Sequence, residues 1–128
     1  MRKSIFIMTL LFIFVVVFGC NTGLITLKPP SWIYGTWADE FDINSWTFIP
    51  DDATFTVSGI ASIDFKELAK TSGVTLTDSS TDSLYTLTLE GGGTEAGIYR
   101  FEKVTATALN FSITAMGVTV GPLLLTKK

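Results

Sequence analysis

Twelve carboxylates, one thiol and no imidazole bound the chemistry open to this 128-residue chain. Without histidine there is no ordinary general base, no triad imidazole and none of the commonest metal ligand. Five of the carboxylates gather at two turns, Asp39, Glu40 and Asp42 on one, Asp51 and Asp52 on the next. A pair of carboxylates can hydrolyse a glycosidic bond, and several together can bind calcium. The spacing is not that of a calcium loop, because Gly35 precedes the acids instead of lying among them. Solvated turn acids are therefore the expected role, with no metal and no cofactor. Gly91, Gly92 and Gly93 do not make a phosphate loop, since no Lys-Ser/Thr follows and no helix begins there. No catalytic residue is expected, and the chain reads as non-enzymatic.

The sole cysteine, Cys20, ends a leader that starts with Arg2 and Lys3 and continues as an apolar run from Ile5 to Phe18. That run is shorter than the roughly 20 residues a spanning helix needs and has the length of a signal-peptide core. Val17-Phe18-Gly19-Cys20 resembles the lipobox of bacterial lipoproteins, with Phe18 standing where most carry a small or modest aliphatic residue. The resemblance implies a cleaved signal peptide over residues 1–19 and a Cys20 that carries palmitate-type acyl chains through a thioether. Residues 20–31 would be the acylated N-terminus and a tether stiffened by Pro29 and Pro30. Asn21 follows the cysteine, so the aspartate that retains enteric lipoproteins at the inner membrane is absent. The expected address is the cell envelope, lipid-anchored to a membrane, at the outer membrane or cell surface. Two or three chains at about 0.8 kcal/mol per buried methylene would hold the protein there. With one cysteine no internal disulfide can form.

Loss of residues 1–19 removes Arg2 and Lys3 and leaves 7 basic against 12 acidic residues. That balance lacks the basic footprint of nucleic-acid binding, and Arg100 is the one arginine remaining. The 109 residues from Cys20 onward suffice for one domain, expected over 32–128.

From Trp32 onward the pattern is short β-type runs separated by turns. Eight strands are expected: Tyr34 to Phe41, Ser45 to Ile49, Ala53 to Ser58, Val74 to Thr77, Ser83 to Leu89, Gly97 to Val104, Ala108 to Ala115 and Val118 to Thr126. Leu109, Phe111, Ile113 and Ala115 alternate with Asn110, Ser112 and Thr114, the period-2 mark of a strand with one buried face. Tyr85, Leu87 and Leu89, and then Tyr99 and Phe101, alternate in the same way. One short helix is expected at residues 62–72, capped by Ser62 or Asp64 and stopped by Gly73, with Phe65, Leu68 and Ala69 on one face covering an open end of the sheet. A meander with one apolar face must close or stack, so the spacing predicts an all-β, eight-stranded antiparallel up-and-down barrel.

Ser31-Trp32-Ile33-Tyr34-Gly35-Thr36-Trp37 resembles the opening of lipocalin-like and other calycin barrels, where Gly-x-Trp lies near the start of the first strand. Gly121-Pro122-Leu123-Leu124-Leu125-Thr126-Lys127 resembles the final strand of small bacterial lipocalin-like lipoproteins. The resemblance implies that Gly35 and Trp37 close the barrel base, with a late basic residue, Lys127 or less naturally Arg100, packed on the tryptophan.

Inward aromatics Trp46, Phe48, Phe55, Tyr85, Tyr99, Phe101 and Phe111 would either line a pocket for a small apolar ligand or simply fill the core. The first role makes a ligand-binding lipoprotein. The second leaves a surface interaction module, adhesin-like or an inhibitor of a secreted hydrolase, which would meet an envelope protein through the loops Asp78 to Asp82 and Gly91 to Glu95.

Overall fold

The computed structural model describes residues 27–72, 74–91 and 94–128. Cys20 and the leader lie outside them. A single 3-10 turn at Ser31–Ile33 leads into nine strands: β1 (Gly35–Ala38), β2 (Asn44–Ile49), β3 (Asp52–Val57), β4 (Ala61–Asp64), β5 (Thr75–Ser80), β6 (Leu84–Gly91), β7 (Thr94–Thr105), β8 (Ala108–Ala115) and β9 (Val118–Lys127). One helix, α1 (Phe65–Ser72), separates β4 from β5.

All nine strands form one antiparallel sheet in the order β4-β3-β2-β1-β9-β8-β7-β6-β5. The sheet curls into a half-barrel, and its edges β4 and β5 do not pair. The expected closed barrel of eight strands is thus corrected on both counts. The extra strand arises because Gly59, at φ 74°, and the Ile60 N–H to Val57 C=O bond of 3.0 Å turn the chain back along β3. Ser62 then pairs with Thr56, and its hydroxyl bonds the Thr56 hydroxyl at 3.1 Å. Of the two expected caps, Ser62 lies in β4 and Asp64 caps α1, accepting the Glu67 N–H at 3.1 Å. Closure fails because α1 occupies the gap. It packs against β3, β4 and β5, and it covers the edges that a closed barrel would have paired.

The sheet is two meanders, β1–β4 and β5–β9, joined in space by only two register pairs, Trp37 with Lys127 and Ala38 with Thr126. Side chains reinforce that short seam. Trp46 of β2 sits within 4.9–5.9 Å, centroid to centroid, of six rings: Phe48, Phe55, Phe65, Tyr99, Phe101 and Phe111. These rings come from β2, β3, α1, β7 and β8, so one indole bonds both meanders and the helix. Phe65 and Ala69 of α1 are fully buried and Leu68 packs beside them, the face that the sequence predicts. Leu27 also joins the core at 5% exposure, ahead of the expected domain start at Trp32.

Replacing Trp46 by Ala is expected to cost about 3–5 kcal/mol in denaturant unfolding. Met116→Ala, at the 74% exposed tip of the β8–β9 hairpin, should stay within about 0.5 kcal/mol.

Candidate functional site

The seven aromatics expected to line a pocket are brought together, each buried to 1% exposure or less. Phe101 and Phe111 stack at 5.0 Å, Phe48 meets Phe101 edge-on at 5.0 Å, and Tyr85 lies 5.8 Å from Phe48. Such offset and edge-to-face pairs contribute about 0.5–1.5 kcal/mol each beyond burial. The rings occupy the interior against one another. Tyr85 donates its hydroxyl to Asp78 Oδ2 at 2.8 Å, and burial, then that bond, pushes the phenol pKa up. Burial alone raises Tyr99, whose hydroxyl, like Trp46 Nε1, meets no hydrogen-bond partner among the described residues.

Gly35, Trp37 and Lys127 meet at the β1–β9 seam. The Lys127 ammonium stands 5.6 Å over the Trp37 ring, and a Cβ on Gly35 would come within 3.2 Å of Lys127 Cε. Trp37 Nε1 donates to the Ile33 carbonyl at 2.8 Å. Arg100 lies on β7, away from this seam. The trio therefore holds the middle of the open sheet together instead of the base of a closed one.

The turn acids organise backbone. Asp39, 3% exposed, accepts the N–H of Ile43 at 2.9 Å and the side-chain amide of Asn44 at 3.0 Å. Asp42 pairs with Lys128 at 2.7 Å, and Asp51 with Lys66 at 2.9 Å, both at the surface, where such pairs add little. Glu40 is exposed. Asp52 is 7% exposed and its Oδ1 accepts the N–H groups of Ala53 at 2.7 Å and Lys66 at 3.1 Å, so two carboxyls, Asp52 and Asp64, cap one helix. Among the described residues no group of three or more His, Cys, Asp or Glu is placed to hold a metal.

The segment Asp78 to Asp82, expected as a loop facing a partner, begins inside β5 and is taken up in part by the chain itself. Lys28 N–H donates to Asp78 at 2.6 Å and Trp32 Nε1 to the Thr81 carbonyl at 2.9 Å, while Lys103 lies 5.7 Å over the Trp32 ring. The second loop is a hairpin in which Gly91 pairs with Thr94; Gly92 and Gly93 lie outside the described residues.

One concavity escaped the sequence reading. Across the outer face of β6–β9 runs a groove of about 160 Å³ lined by Leu84, Arg100, Glu102, Asn110, Ser112 and Pro122. Its wall comes from a bulge in β9, where Gly121 and Pro122 together oppose Ser112. Only glycine fits at 121: φ is 117°, and a Cβ there would lie 2.7 Å from the Phe111 carbonyl oxygen. The sequence signal was the Gly121-Pro122 pair inside an otherwise β-type run.

No family model matches the chain, and comparison with curated proteins and with solved structures gave no match. No helix among the described residues is long and apolar enough to cross a membrane.

Burial, then the hydrogen bond that the protonated Asp52 carboxyl donates to Asp64, pushes the Asp52 carboxyl from 3.8 to about 6. The folded chain then holds a proton that the unfolded chain has released between those two values, so this group makes stability fall as pH rises through that window. Thermal unfolding followed from pH 3 to 8 should show the fall, and Asp52→Asn should remove it. A variant as pH-dependent as the parent would refute the assignment.

Proposed function

We propose that this chain is a lipid-anchored, non-enzymatic envelope protein whose β domain acts through its outer surface. The observation that carries this reading is the close packing of rings in the interior. Eight rings, the seven inward aromatics and Phe65, each less than 2% exposed, pack at aromatic contact distance where a lipocalin-like carrier would hold its cargo. A small domain without disulfides depends on that packing for its stability, which leaves binding to the outside. The anchor rests on Cys20 at the end of its apolar leader, and the relation to lipocalin-like lipoproteins on the Gly35, Trp37 and Lys127 cluster. The carboxylates support a non-enzymatic reading, since Asp39, Asp52 and Asp64 spend their oxygens on backbone N–H groups.

Intrinsic tryptophan fluorescence, whose blue-shifted component comes from the enclosed Trp37 and Trp46, is expected to stay unchanged on titration with fatty acids, retinoids and haem. A saturable shift with any of them would restore the interior-ligand reading. Expressed in a bacterial host, the chain should fractionate with membranes and take up labelled palmitate, and Cys20→Ser should lose both. Retention of the label in that variant would defeat the anchor.

A further inference from the structure

We propose that the groove across β6–β9 binds a small zwitterion, such as a short unblocked peptide, with its carboxylate on Arg100 and its ammonium on Glu102. This rests on the outward-acting reading above and names the ligand class for that surface.

The placement follows from strand geometry. Arg100 and Glu102 are two residues apart on β7, so both project from the same face, about 6.8 Å apart along the strand. Register extends each into a row across the sheet. Leu84, Glu102, Asn110 and Leu124 are neighbours in one row; Thr86, Arg100 and Ser112 are neighbours in the next, ending at the Pro122 bulge. The groove lies between the rows, so one wall carries a cation and the other an anion.

Neither charge is spent internally. Among the described residues Arg100 and Glu102 enter no ion pair and no side-chain hydrogen bond, although the lysines Lys66, Lys70 and Lys128 each hold a carboxylate. Arg100 is also the only arginine after residue 2, in a chain with excess acid. A guanidinium presents paired N–H donors that match a carboxylate in two parallel bonds. A simple carboxylate would meet the repulsion of Glu102, whereas a ligand bearing both charges satisfies both walls. Asn110 and Ser112, half-buried on the floor, offer donors and acceptors for a peptide amide, and Leu84 and Pro122 close the ends with apolar surface. A few convergent polar groups between apolar margins are the usual make-up of a small-ligand site.

The test is an NMR titration of the ¹⁵N-labelled full chain in detergent with alanyl-alanine, its N-acetyl form and its C-terminal amide. Dialanine should give saturable shifts centred on Arg100, Asn110 and Ser112, and each blocked form should bind about tenfold more weakly, a loss of about 1.4 kcal/mol. In Arg100→Gln the dipeptide and its amide should bind alike; in Glu102→Gln the dipeptide and its acetyl form should bind alike. Retained strand dispersion in the spectra shows that each variant is folded. Absence of shifts with dialanine, equal binding of all three compounds to the parent, or unchanged discrimination in Arg100→Gln would overturn the proposal. Any of these results with tryptophan fluorescence unchanged by apolar ligands would sink the groove alone and leave the outward-acting reading standing.

Discussion

Everything in this fold hangs on the indole of Trp46. Two register pairs between β1 and β9 are too few to hold two meanders in one sheet, so the junction depends on side chains that reach across the curl. Trp46 reaches furthest, touching rings from both meanders and from α1. Packing at interior density leaves little tolerance for a lost ring or an added guest. The same contacts that stabilise a small domain without disulfides thus crowd its interior with rings.

The outer face is mostly threonine and serine, and several of these hydroxyls are satisfied by their cross-strand neighbours. Thr36 bonds Thr47 at 3.0 Å, and Thr114 bonds Thr119 at 2.8 Å. Against that neutral ground Arg100 and Glu102 of β7 stand out. Several acids are instead taken up by the fold. Asp39 shapes the first hairpin, Asp52 and Asp64 hold the start of α1, and Asp78 fastens the N-terminal segment to β5 and β6.

Local pattern made the strands legible. β8 runs from Ala108 to Ala115, where alternation alone puts it, and Phe65, Leu68 and Ala69 mark the buried side of α1. β4 was obscured because Ser62 and Asp64 look like helix caps, and Asp64 is one; a four-residue strand leaves too short a period to oppose that signal. Openness could not be read from the chain. Whether β4 and β5 pair depends on where α1 packs, and that is decided by Trp46 and Tyr99 contacting Phe65 from distant strands. The groove was hidden for a similar reason. Arg100 and Glu102 read as ordinary solvated positions until the register of β7 with β8, and the bulge at Gly121, bring Asn110, Ser112 and Pro122 beside them.

Whether the interior is filled can be read at one atom, the Trp46 indole N–H, which is buried and without a hydrogen-bond partner among the described residues. Its hydrogen–deuterium exchange, followed by NMR alongside the amides of β7 and β8, isolates packing from backbone pairing. A filled core requires that this proton exchange only as slowly as those amides, through global unfolding. Exchange within minutes while the β7 and β8 amides stay protected would reveal a solvent-accessible lumen and return the protein to the class of ligand carriers.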